Sequence, residues 1–208
     1  MSDDFNGIVS LLIASLELLL LINIAIFVEK NSVNIKIIIL IFLLFLYQLF
    51  EFLICYASLN SSLTIYFAFA SITFLPPLGL HIVSDYLFKE TKKYYLFYIP
   101  AVILLLYYVS IINLFEAEKC TVLYAVYNYP LGFLYGVLYY SPVIITFLLL
   151  LNSFIKVNDP DKKKQLRILL IGYGVTFLPM SAALFFYPAA TSFIESVLCK
   201  FAIVLAIS

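Results

Sequence analysis

The stretch IIILIFLLFLYQLFEFLICYAS, residues 37–58, decides the architecture. As a helix it rises about 33 Å, enough to cross a hydrocarbon core of roughly 30 Å. Ile37–Tyr47 is unbroken hydrophobe, whereas a transmembrane barrel strand alternates apolar and polar residues over about ten positions. A helix is therefore the spanning element. One residue does not fit this surround: Glu51 lies within the run. A charge near the middle of a bilayer costs about 2.5–3.5 kcal/mol on insertion scales, so such residues face a bundle interior, find a partner and mark a site.

The rest of the chain repeats the pattern. Apolar runs of comparable length lie near 8–28, 37–58, 62–86, 95–115, 130–155, 168–188 and 190–208. The chain is 65% hydrophobic and 12% charged, with a mean hydropathy of +1.11, whereas a soluble domain is about half apolar and a quarter charged. The runs consume most of the 208 residues and leave no room for a soluble domain. The expected class is an all-α polytopic membrane protein, a single seven-helix transmembrane bundle over 1–208. The N-terminus opens Met1-Ser2-Asp3-Asp4, without the basic segment of a cleavable signal peptide, and its apolar run is too long for one.

Basic residues set the orientation, because cytoplasmic loops are enriched in Lys and Arg. Lys30 and Lys36 fall in the first loop, Lys89, Lys92 and Lys93 in the third, and Lys156, Lys162, Lys163, Lys164 and Arg167 in the fifth. The opposite side carries only Lys119, and Lys200 lies within a span. This predicts the N-terminus outside and the C-terminus inside. The basic loops are short and lack a nucleic-acid recognition motif, so membrane lipid headgroups are their expected partners.

Two loops are longer than the rest: Phe115–Tyr129 on the outer side and VNDPDKKKQ (157–165) on the inner side, where Asn158-Asp159-Pro160-Asp161 reads as a turn and helix start. Prolines punctuate four spans, with Pro76-Pro77 before Gly79 the strongest case for a functional bend. Gly132 and Gly136 form a GxxxG, expected to allow close packing inside the bundle. Tyr94, Tyr95, Tyr98, Tyr127, Tyr129 and Tyr187 read as an interfacial belt, while Tyr107, Tyr108, Tyr135, Tyr139, Tyr140 and Tyr173 lie deeper.

Four charged residues lie deep inside spans: Glu17, Glu51, Glu195 and Lys200. Counted from the outer span ends they lie about 13, 10, 8 and 15 Å deep. All fall in the outer half, on spans one, two and seven, which makes them candidates for a ligand-binding or polar intramembrane network. Glu195 and Lys200 are five residues apart and diverge by about 140° around a helix, so Lys200 needs a carboxylate from another helix. Glu17 matches its depth best and is the expected partner. His81 and Asp85, four apart near the inner end of span three, form a second candidate, a protonation switch. Cys55 and Cys120 both lie toward the outer face, which permits a bridge, although apolar surroundings favour free thiols for Cys55, Cys120 and Cys199. No hydrolase, nucleotide or metal motif can be assembled from the single His. No catalytic residue, metal or cofactor is expected.

The third and fourth spans read Phe74-Leu75-Pro76-Pro77-Leu78-Gly79-Leu80-His81 and Tyr98-Ile99-Pro100-Ala101; Lys164-Gln165-Leu166-Arg167 precedes Gly172-Tyr173-Gly174; and the last span runs Ser196-Val197-Leu198-Cys199-Lys200-Phe201-Ala202-Ile203. In these patterns and in topology the chain resembles the N-terminal seven-transmembrane sensor region of bacterial sensor histidine kinases. The resemblance implies a receptor in the bacterial cell membrane. It would detect a small or lipophilic envelope signal and relay helix motion to a cytoplasmic output domain beyond Ser208, a signalling partner or a homodimer. A small transporter or membrane scaffold subunit is the main alternative, though no internal repeat supports a transporter. A retinal-binding photoreceptor using Lys200 is another; it is disfavoured by the absence of Trp and by the five-residue spacing of Glu195 and Lys200.

Overall fold

The computed structural model describes residues 7–88, 92–122, 125–186, 197, 199 and 200. Helix α1 (Ile8–Phe27) is followed by α2 (Ser32–Cys55), α3 (Ser62–Thr73) and α4 (Leu75–Phe88). A 3-10 turn (Lys92–Phe97) leads into α5 (Tyr98–Ser110), and another (Ile112–Leu114) leads to strands β1 (Glu116–Cys120) and β2 (Ala125–Asn128). Helices α6 (Gly132–Lys156) and α7 (Pro160–Phe186) follow. Four helical segments are long and apolar enough to cross a membrane: Ile8–Phe27, Ser32–Cys55, Ser62–Phe88 and Gly132–Lys156.

Local chemistry fixes where these helices begin. The Asn31 side chain accepts from the Asn34 N–H at 2.8 Å, and Ser61 accepts from the Thr64 N–H at 3.1 Å. Each satisfies a donor left open by the first helical turn. The Asn31 cap starts α2 ahead of its apolar run and draws Lys36 into the helix. Helix α7 likewise starts at Pro160, ahead of the apolar run from 168, after Asp159 accepts from the Asp161 N–H at 3.1 Å. The Asp159-Pro160 helix start is thus where the sequence placed it.

The third run is a broken helix, not a continuous one. Pro76 and Pro77 cannot donate, and the chain turns at Phe74 before α4 resumes with the Leu78 N–H on the Phe74 carbonyl at 3.1 Å. The fourth run is shorter than expected as α-helix: α5 has 13 residues and rises about 20 Å. The six-residue 3-10 turn before it has a longer rise and adds about 12 Å.

The outer loop departs from the all-α expectation. Strands β1 and β2 pair antiparallel, with Glu116 opposite Asn128 and Cys120 opposite Ala125 and an irregularity between Ala117 and Lys119. Cys120 is joined to Cys55 at the end of α2 by a disulfide, Cα atoms 5.5 Å apart. This corrects the expectation of free thiols at Cys55 and Cys120: strand β1 ends with Cys120 against the end of α2. Gly7 ties the same end together. It adopts φ +78° and donates to the Thr121 carbonyl at 3.1 Å, and a Cβ there would stand 3.1 Å from the Cys55 Cβ.

Beneath the hairpin lies an aromatic cluster. The Phe69 ring meets Tyr108, Phe115, Tyr129 and Tyr135 at centroid separations of 4.9, 5.4, 5.1 and 4.5 Å. Tyr108 donates to the Pro130 carbonyl at 2.6 Å. Tyr129 is half-buried and packs against this cluster. Gly136 has open space where a Cβ would stand, so its GxxxG is not used for close packing among the described residues.

Burial on α1 is inverted relative to a soluble protein. Helix α1 buries Ser10, Ala14 and Glu17 at helical spacing while Leu12, Leu16, Leu19 and Ile26 are more than half exposed. A helix with its polar stripe inside and its leucines outside is stable where the surround is hydrocarbon. The molecule has the helices and the surface of an integral membrane protein.

Candidate functional site

Helices α1 and α2 run antiparallel and pack along their length. The Ser10 hydroxyl donates to Glu51 Oε1 at 2.8 Å and sets their register. From that level Glu17 lies seven residues further along α1, about 10 Å toward the other end, and Gln48 three residues back along α2, about 4.5 Å in the same direction. Leu40, Leu44, Gln48 and Glu51 fall within an arc of about 80° on α2, one stripe facing the interior. Glu17 and Gln48 are fully buried, at 0% exposure each, and Glu51 is at 1%.

Lys200 forms an ion pair with Glu51. It does not pair with Glu17, as depth alone predicts. Depth is one coordinate of two; the direction each helix faces decides the other. Ser10 holds the Glu51 carboxylate toward the interior, and a lysine stem reaches several ångströms along the bundle. Lys200 still acts electrostatically on Glu17. Both carboxylate oxygens of Glu17 and both polar atoms of the Gln48 amide have no hydrogen-bond partner among the described residues. Three of the four predicted charges are therefore brought to one place. Glu195 lies outside the described residues. Ser10 and Gln48 were not singled out from sequence, although their positions on the stripes of Glu17 and Glu51 carried the signal.

A cavity of about 50 Å³ begins at Leu44, one helical turn along α2 from Gln48. Helix α2 supplies Leu40 and Leu44, α4 supplies Pro76 and Gly79, α6 supplies Tyr139 and Val143, and α7 supplies Tyr173 and Phe177, with Cys199 beside Lys200 completing the lining. The Pro76-Pro77 break gives this wall its shape, and Gly79 keeps it open: a Cβ there would lie 3.1 Å from the Tyr173 hydroxyl.

The second candidate lies at the end of the bundle that carries the basic loops. Asp85 pairs with Lys36 of α2, and its other carboxylate oxygen stands 3.7 Å from His81 Nε2. His81 Nδ1 is 3.3 Å from the Tyr98 hydroxyl, and its ring meets Tyr95 edge-on at 4.6 Å. His81 and Asp85 are thus together as expected, but Lys36 is the closer partner of the carboxylate. It was assigned to a loop from sequence because the apolar run starts only after it. Lys36 and Glu51 sit on the same helix about 22 Å apart along its axis, so α2 joins the two polar networks as one rigid rod.

No protein-family model matches this sequence, and no similarity to a curated protein or a solved structure was found.

Proposed function

We propose that this chain is a membrane-embedded receptor whose outer-half polar site takes a small amphipathic ligand and whose α2 relays occupancy to the basic end. The observation that carries this reading is the pair of fully buried side chains Glu17 and Gln48, without a hydrogen-bond partner among the described residues, beside the Lys200–Glu51 pair. A network built only to lock helices satisfies its members, because an unmet polar group costs about 1–3 kcal/mol and more when charged. Here bonding capacity is kept free next to an apolar cavity, the combination that small-molecule sites use. The resemblance to sensor-kinase membrane regions agrees with a receptor.

The proposed topology has seven crossings in a bacterial cell membrane, N-terminus outside and C-terminus inside. Ten of the twelve basic residues on one side support it. The Cys55–Cys120 disulfide at the opposite end supports it independently, since disulfides persist in oxidising compartments outside the cytoplasm. The output passes to a cytoplasmic domain or partner.

Hydrogen exchange in lipid nanodiscs tests the relay. In Glu51→Gln, exchange is expected to rise at the start of α2 and around 85–97, about 20 Å from the substitution, as well as locally. Faster exchange confined to the outer turns of α1 and α2 means that the charges only hold helices together. A scaffold or transporter then becomes the better reading, and flux assays in proteoliposomes separate those two.

A further inference from the structure

We propose that the ligand of this site carries an organic ammonium head bound between Glu17 and Gln48, with a short apolar tail in the neighbouring cavity. The proposal rests on the receptor reading above and names the chemical class that the site selects. Charge comes first. Among the described residues the site holds two carboxylates, Glu17 and Glu51, and one ammonium, Lys200. Lys200 is committed to Glu51 by direct contact, and Ser10 also donates to that carboxylate. Glu17 has no direct basic contact among the described residues, so its carboxyl is the group that a cationic ligand complements and an anionic one does not.

Hydrogen-bond capacity points the same way. An ammonium brings three donors and no acceptor. Among the described residues Glu17 offers two unbonded oxygens, and Gln48 offers an unbonded amide oxygen beside an equally unbonded amide nitrogen. Both side chains are fully buried, so bulk water does not fill these roles at the surface. The stripe of α2 that carries Gln48 continues through Leu44 and Leu40 into the cavity wall, and Cys199 places that wall next to Lys200. Head and tail subsites are thus contiguous along one helix. The cavity, about 50 Å³, is roughly a third of an apolar cavity that accepts benzene, so the tail is a few carbons long.

The test uses the full chain in nanodiscs with n-butylammonium, its neutral counterpart n-butanol and the anion butyrate, each referenced to empty nanodiscs. Saturable binding of n-butylammonium, at least tenfold tighter than n-butanol and with no binding of butyrate, supports the proposal. Glu17→Gln should weaken n-butylammonium at least tenfold while leaving the helical content unchanged. A second readout needs no variant: n-butylammonium should protect Glu17 of the unaltered protein from an apolar carbodiimide, scored as survival of the unmodified peptide that contains it, with N-acylurea and butylamide products both counted as labelling. Equal binding of n-butanol and n-butylammonium, abolished by filling the cavity with Leu44→Phe, overturns the ammonium assignment and leaves the receptor reading standing. Unchanged n-butylammonium affinity in Glu17→Gln, or labelling of Glu17 that the amine does not slow, overturns the assignment as well. Absence of binding by any of the three probes overturns both.

Discussion

Replacing Lys200 by Met removes the partner of Glu51, a carboxylate only 1% exposed. The Ser10 hydrogen bond remains, but one neutral donor does not compensate a buried charge. Breaking such a pair by removing one partner costs about 3–5 kcal/mol. For a chain of this size each kcal/mol moves the melting temperature by about 2–4 °C, so Lys200→Met should melt roughly 6–20 °C lower in detergent. Glu51→Gln should also destabilise, though less, because the freed Lys200 ammonium still has Glu17 within electrostatic reach. The double variant Glu51→Gln/Lys200→Met removes both charges and should recover much of the loss, since replacing a buried pair outright is often nearly neutral. A double-mutant cycle on thermal unfolding should therefore give a coupling of at least about 2 kcal/mol. Single effects that add to within about 0.5 kcal/mol would refute the pairing. A large coupling of Lys200 with Glu17 instead, measured in the same way, would restore the partner that depth alone suggests.

Glu17→Gln should raise the melting temperature of the ligand-free protein by a few degrees, because it removes a buried carboxyl that has no hydrogen bond among the described residues; a fall of more than 5 °C would show that Glu17 has a stabilising partner. Reducing the Cys55–Cys120 bond, which closes a separation of 65 residues, should lower stability by up to about 4 kcal/mol on the loop-entropy estimate, read as a lower melting temperature and a gel shift under reducing conditions. Gly7→Ala forces a Cβ to within 3.1 Å of the Cys55 Cβ at φ +78° and should cost about 1–2 kcal/mol, visible in the same melting assay; an unchanged melting curve would mean that Gly7 does not clamp the hairpin to α2.

Helices α1, α2 and α6 were legible in the sequence because hydropathy and length alone define them. The clustering of Glu17, Glu51 and Lys200 was legible as well, because topology restricts charged residues of comparable depth to few neighbours. The identity of the Lys200 partner was not: it depends on which way each helix faces, and the polar residues that mark the inner faces of α1 and α2, Ser10 and Gln48, stand among apolar residues too numerous for hydropathy to single them out. Lys36 was missed for a related reason. A capping asparagine at position 31 lengthens α2 beyond its apolar run, so a residue read as loop becomes a helical partner of Asp85. The hairpin was hidden because Glu116–Cys120 reads EAEKC, which lacks the β-branched alternation of a strand; its position is held by the disulfide and by Phe115 in the aromatic cluster beneath.

The relay along α2 is the central claim, and spin-label distances at the basic end test it most directly. With labels at positions 30 and 164 in a Cys199→Ser background, the wild-type network in nanodiscs should give one narrow distance distribution. Glu51→Gln, at the far end of α2, should shift or split that distribution by about 2 Å or more, the scale of helix shifts in switching proteins. An unchanged distribution, with Glu51→Gln still destabilising the protein, would contradict the relay and leave the buried charges as a helix lock.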